Sequence, residues 1–117
     1  MSRSTQQAFA DPHQLDRVFR ALGDQTRRQM LGRLASGSAS VTQLAAPFAM
    51  SLPAASKHIR VLETAGLVGR SVEGRVHRCS LEPDGLDDAR TWLETHRDFW
   101  EGTLDSLAEF VEEGQKQ

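Results

Sequence analysis

The most constraining feature of the sequence is a run of helix start and stop signals between Thr42 and Gly66. Pro47 lacks an amide donor and limits a short helix read over about Thr42 to Ala46. Phe48, Ala49 and Met50 make a tight turn. Ser51 is a good N-cap, and Pro53 falls in the first turn of the next helix, where a missing amide costs little. That helix runs to about Ala65 and stops at Gly66, a suitable residue for the left-handed position after a helix end. Its inward stripe is read as Leu52, Ala55, Ile59 and Leu62.

A hairpin follows. Leu67 to Val72 reads as a strand, Glu73-Gly74 as the turn and Arg75 to Leu81 as the returning strand. Upstream, Leu15, Val18, Phe19 and Leu22 form one stripe of a helix from about Gln14 to Leu22, which Gly23 ends. Asp24 caps a second helix that turns Met30, Leu31 and Leu34 inward and ends near Ala35. Residues 36–40 read as a flexible, turn-rich connection. Downstream of Pro83-Asp84-Gly85, a long helical segment from about Leu86 to Glu112 carries Trp92, Leu93, Phe99, Trp100, Leu104, Leu107, Phe110 and Val111. Gly102 inside it is read as a kink or a close helix approach. The expected fold is mainly α with a small β-hairpin wing, a winged helix-turn-helix in the order α-α-α-α-β-β-α. Residues 1–13 are expected as a flexible arm, and 14–113 as one DNA-binding and dimerisation domain.

In such a pair of helices the second lies in the major groove, with its N-terminal side chains at the base edges. Its outward face here carries Pro53, Ala54, Ser56, Lys57 and Arg60, flanked by His58. Small groups let a helix enter a groove, a hydroxyl donates or accepts, and cations reach phosphates or guanine acceptors. Arg70, Arg75 and Arg78 place guanidinium groups on the hairpin, where they can follow the DNA backbone or enter a minor groove. Cations on a helix face or an edge strand also serve solubility alone, so a protein-interaction module that does not read DNA stands as the alternative.

Net charge of −2 looks wrong for a partner of nucleic acid, but its distribution does not. Residues 14–36 hold five arginines against two acids, and residues 41–81 hold five cations against two glutamates. Residues 82–117 hold three cations against eleven acids, so an acidic tail cancels two basic segments. A phosphate backbone responds to the local face rather than the total.

The stretch Leu22-Gly23-Asp24-Gln25-Thr26-Arg27-Arg28-Gln29-Met30-Leu31 resembles the second-helix signature of ArsR-type repressors. Residues 51–68 (SLPAASKHIRVLETAGLV) resemble their recognition helix and its exit into the wing. Gly74-Arg75 with Cys79 and Leu81 resembles the wing, Cys79 standing where many relatives carry Tyr. The resemblance covers nearly everything from Leu15 to Leu81, and the tail resembles one non-metal subgroup less specifically. It implies a repressor that binds a double-stranded, inverted-repeat operator as a homodimer. DNA contacts are then expected from Thr42, Gln43, Ser51, Pro53, Ala54, Ser56, Lys57, His58, Arg60, Arg70, Arg75 and Arg78. The first and last helices are implied at the dimer interface, through Leu15, Val18, Phe19, Trp92, Phe99, Trp100, Leu104, Leu107 and Val111.

Other functions find little support in the residues. Metal-sensing relatives carry Cys-x-Cys near the third helix, or paired His and carboxylates in the last. Here the third helix offers Thr42-Gln43-Leu44-Ala45-Ala46, and the last has His96 beside Asp98 and Glu101, so neither metal nor other cofactor is expected. No nucleophile–base pair or phosphate-cradling loop points to an enzyme. Cys79 permits no intramolecular disulfide and reads as a small core residue. No apolar run is long enough to cross a bilayer, and Met1 to Pro12 lacks the apolar core of a secretory signal. A cytoplasmic location and no membrane partner are expected, with the effector unknown.

Overall fold

The computed structural model describes residues 12–116; the first eleven residues of the expected arm lie outside the described residues. His13, assigned to that arm, already belongs to helix α1 (Pro12–Leu22). Helix α2 (Gln25–Leu34) starts at Asp24, whose carboxylate accepts the amide of Arg27 at 3.0 Å. Helix α3 (Val41–Ala45) starts at Ser40, and helix α4 (Leu52–Thr64) at Ser51, each serine hydroxyl accepting an amide three residues on. Each cap satisfies a donor that the helix itself cannot.

The connection after α2 is more ordered than its composition suggests. Ala39–Ser40 forms a short strand, β1, that pairs antiparallel with β3 (Val76–Leu81), Ala39 opposite Cys79 and Ser40 opposite Arg78. β3 is the central strand of a three-stranded sheet, with β2 (Val68–Glu73) on its other side. The hairpin register sets Glu73 against Val76, so the two-residue turn is Gly74-Arg75, one position later than Glu73-Gly74. Gly74 has φ +65° and Arg75 does not share the left-handed conformation, the pattern of a II′ turn with glycine at its first central position. Arg75 therefore sits in the tip of the wing.

The chain divides into two compact units, one ending at Asp87 and the other beginning at Asp88. The first is built on Val18, Ala21, Met30, Leu34, Leu44, Ala55, Ile59, Leu62, Leu67 and Cys79, all buried. Helix α4 supplies Ala55, Ile59 and Leu62 from one face, but Leu52, expected inward with them, is 49% exposed. It lies in the first turn, where the helix has passed the edge of the core. Leu31 of α2 is only half-buried, whereas Ala21 of α1, unmarked by the apolar stripe, is fully covered.

Arg27 and Arg28 knit the α1–α2 corner. Arg27 donates to the carbonyls of Ala21 (2.8 Å) and Arg20 (3.0 Å), and Arg28 donates to that of Leu22 (2.7 Å). These carbonyls belong to the last turn of α1, where regular helical partners run out; that of Arg20 also accepts the Gly23 amide at 3.2 Å. Beyond the wing, a 3₁₀ turn (Pro83–Leu86) brings Gly85 against the Gly66 carbonyl so closely that a Cβ at Gly85 would overlap it.

The second unit is nearly all of helix α5 (Asp87–Lys116). The helix runs uninterrupted through Gly102, and an added Cβ there would meet nothing within the chain. Trp92 stacks on His96 with ring centroids 4.0 Å apart, and Phe99 meets Trp100 edge-on at 5.6 Å. Phe99, Trp100, Leu104, Leu107, Phe110 and Val111 are each more than half exposed.

Candidate DNA-binding surface

Helix α4 presents opposite faces of different chemistry because 3.6 residues make a turn. Ala55, Ile59 and Leu62 face the core, which turns Pro53, Lys57, Arg60 and Thr64 outward. Pro53, Lys57, Arg60 and Thr64 are exposed, and Ser56 is half-buried on the side toward the wing. Among the described residues, the side chains of Lys57, Arg60 and Arg75 make no hydrogen bond or ion pair, so their charges are available to a partner.

On the wing side of α4 a groove of about 450 Å³ is lined by Thr42, Leu52, Ser56, Arg70, Arg75 and His77 among others. It joins the start of the second helix, the short helix before it and the hairpin. Thr42 at its edge is exposed. Four of the residues expected at DNA, namely Thr42, Ser56, Arg70 and Arg75, therefore meet around one concavity.

Five of the expected residues, Arg70 among them, are engaged within the protein. Gln43 completes a capping box: its side-chain oxygen accepts the Ser40 amide at 2.8 Å while its own amide donates to the Ser40 hydroxyl at 3.1 Å. The Ser51 hydroxyl accepts the amide of Ala54. His58 leaves the outward face altogether; its Nδ1 stands 3.2 Å from Arg27 Nη1 and 3.8 Å from the Asp24 carboxylate. Arg70 holds Glu63 through two bonds, 2.8 and 3.2 Å, and Arg78 donates to Glu73 at 3.2 Å. His58 thus links α4 to α2, and Arg70 fastens the wing to α4. The periodicity of one helix cannot reveal such partners, which lie 5 to 34 positions away or in other elements.

Electrostatic shifts follow these contacts. The amide of Arg27 holds the Asp24 carboxyl below its ordinary range, against a smaller opposing effect of burial. The Glu63 carboxylate raises the Arg70 guanidinium still further. Burial pushes the Cys79 thiol up, and its side chain is fully covered. On α5, His96 Nδ1 lies 2.8 Å from the Trp92 carbonyl. Among the described residues, no three His, Cys, Asp or Glu side chains stand close enough together to hold a metal. No helix among them is long and apolar enough to cross a membrane.

A short helix, a capped second helix with a cationic outward face and an arginine-tipped hairpin define a winged helix-turn-helix DNA-binding protein. The helix-turn-helix domain family matches residues 17–69. The chain is 39% identical to the HTH-type transcriptional regulator Rv2034 of Mycobacterium tuberculosis, over 83% of this chain and 88% of that one. It is 30% identical to the transcriptional repressor SdpR of Bacillus subtilis, over 68% of this chain and 88% of that one. Among solved structures it resembles an ArsR family transcriptional regulator, with 43% identity, a TM-score of 0.73 and coverage of 78% and 94%. It also resembles the homodimeric winged helix-turn-helix DNA-binding domain of a possible ArsR-family regulator from Mycobacterium bovis, with 28% identity, a TM-score of 0.58 and coverage of 74% and 82%. The chain belongs to the ArsR family and is a DNA-binding transcriptional regulator.

Proposed function

We propose that this regulator is a repressor that binds an inverted-repeat operator as a homodimer. Its second helix, α4, enters the major groove. The observation that carries the proposal is the outward face of α4, where Pro53, Lys57 and Arg60 are exposed and Ser56 lines the concavity that ends at Arg75. Ser56 and Lys57 are assigned to base edges and Arg75 to phosphate. Pro53 and Ala54 are small enough for close approach, and Thr42 borders the backbone. Gln43, Ser51, His58, Arg70 and Arg78 support the surface from within rather than reading DNA, since their side chains are already bonded.

Homodimerisation draws support from α5. Trp92, Phe99, Trp100, Leu104, Leu107 and Val111 are 39–63% exposed, an apolar surface that is costly to leave in water. The M. bovis relative is homodimeric, and SdpR is named a repressor. Val18, expected at the interface, is fully buried inside the first unit and cannot reach a partner, while Leu15 and Phe19 are half-buried. A two-fold dimer places two α4 helices on half-sites about one helical turn, or a multiple of it, apart. A DNA target and the bacterial source of the named relatives support a cytoplasmic location.

The test combines sedimentation with DNA binding. The protein sediments at twice its chain mass and protects an inverted repeat from nuclease. Leu104→Glu, which sets a charge into the apolar face of α5, lowers both the mass and the operator affinity. A Leu104→Glu monomer that binds the operator as tightly as the parent refutes the dimer. Equal affinity for operator and unrelated duplex refutes sequence-specific binding.

A further inference from the structure

Helix α4 is flanked by a second groove, on the side away from the wing. It measures about 400 Å³ and is lined by Arg17 and Arg20 of α1 and by Lys57, Arg60, Val61 and Thr64 of α4. Four cations converge there from two helices, and among the described residues no carboxylate lines the groove. The chain as a whole is acidic, with a net charge of −2, so this concentration of like charge is local. Like charges held this close repel one another, and an anion beside Arg20, Lys57 and Arg60 relieves the repulsion.

The groove's position is fixed by bonds at its end. Gln14 Nε2 donates to the carbonyl of Ala65 at 2.9 Å and so ties α1 to the end of α4. Arg17 Nη2 donates to Gln14 Oε1 at 2.9 Å, which orients one guanidinium along the same side. The spacing of Arg17 and Arg20, and of Lys57, Arg60 or Val61, and Thr64, sets each group on one side of its own helix.

DNA geometry names the occupant. The major groove is about 12 Å wide, and an α-helix with its side chains is about 10–12 Å across. A helix seated there is bordered by a phosphodiester strand on each side. The wing, with Arg75, lies on one side of α4; the α1–α4 groove lies on the other. We propose that this groove binds the phosphodiester strand opposite the wing, with Arg20 of α1 and Arg60 of α4 as its principal cations. Each recognition helix is then clamped from both sides. Val61 and Thr64 line the groove beside the arginine stems, and the charged ends meet phosphate. The proposal rests on the DNA-binding function above and adds to it a contact from α1, a helix outside the helix-turn-helix itself.

The experiment compares Arg20→Ala, Arg20→Lys and Arg75→Ala with the parent on operator and unrelated duplex at several salt concentrations. The Arg20 side chain is exposed and its carbonyl does the structural work, accepting from Arg27, so Arg20→Ala keeps the parent's thermal midpoint. If it unfolds, Arg20→Gln takes its place. Loss of one phosphate contact lowers the slope of log K against log salt by about 0.9, or about 1.8 for two protomers. Arg20→Ala is expected to flatten the slope by that amount and to weaken both DNAs by the same factor, with Arg20→Lys retaining the slope. An unchanged slope in Arg20→Ala with a flattened one in Arg75→Ala overturns the groove and leaves the DNA-binding function standing. If neither variant changes the slope, both the groove and the wing-tip contact are overturned, and equal affinity of the parent for operator and unrelated duplex is what refutes sequence-specific binding. Loss of affinity for the operator alone assigns Arg20 to base reading and overturns the phosphate clamp. Saturable binding of inorganic pyrophosphate to the free protein, lost in Arg20→Ala while the slope is kept, assigns the groove to a small anion and also overturns it.

Discussion

Arg75→Ala isolates the wing's contribution to DNA affinity. Three arginines mark the hairpin, but the structure gives them unequal freedom. Arg70 is bonded twice to Glu63, the shorter bond 2.8 Å, and Arg78 is held by Glu73 at 3.2 Å. Arg75 occupies the turn after Gly74 and, among the described residues, has no partner. One displaced cation per phosphate contact gives about 0.9 in the salt slope, so two wings account for about 1.8. Over a four-fold rise in salt, from 50 to 200 mM, the variant's affinity therefore falls about twelve-fold less than the parent's. The assay is fluorescence anisotropy on operator and unrelated duplex, both of which lose affinity by similar factors because a phosphate contact carries no sequence information. Glu73→Gln supplies the opposite sign: it releases Arg78 and removes an anion beside the tip, so the slope steepens and both DNAs bind more tightly. An Arg75→Ala slope equal to the parent's on both DNAs refutes the placement of the wing tip at phosphate.

Three further outcomes concern stability and reactivity. Arg27→Ala removes bonds to Ala21, Arg20 and His58, at about 1 kcal/mol net for each, and lowers stability by about 2–3 kcal/mol in denaturant titration at fixed protein concentration; a loss under about 0.5 kcal/mol contradicts the knitting of α1 to α2. Gly85→Ala destabilises by about 1–3 kcal/mol, because its Cβ meets the Gly66 carbonyl, whereas Gly102→Ala, inside α5 and in open space, stabilises by up to about 1 kcal/mol; equal thermal midpoints for the two variants count against both assignments. Cys79 is fully buried and burial holds its thiol up, so iodoacetamide at pH 8 modifies it only after unfolding; rapid labelling of the native protein, followed by mass spectrometry, argues against a closed sheet.

The sequence by itself determined the elements whose signals act within a turn of the chain. Asp24 and Ser51 open helices through bonds to amides three residues away, and Gly66 and Gly74 take the positive φ that ends a helix and turns a hairpin. The buried stripe of Ala55, Ile59 and Leu62 follows from the helical period, and the outward cations Lys57 and Arg60 follow from the same period. Tertiary structure decided what depends on neighbours distant along the chain. β1 is two residues long, too short for any periodicity, and exists through its pairing with Cys79 and Arg78. His58 and Arg70 read as unpartnered groups from their own elements alone. Asp24 with Arg27, and Glu63, take them up only once α2 and β2 pack against α4. Arg17 and Arg20 join Lys57 and Arg60 for the same reason: α1 and α4 are separated by 29 residues in sequence and lie side by side in the fold. A cap or a period is a local energy that the chain carries with it, whereas a charge finds its partner only when packing has fixed where both groups stand.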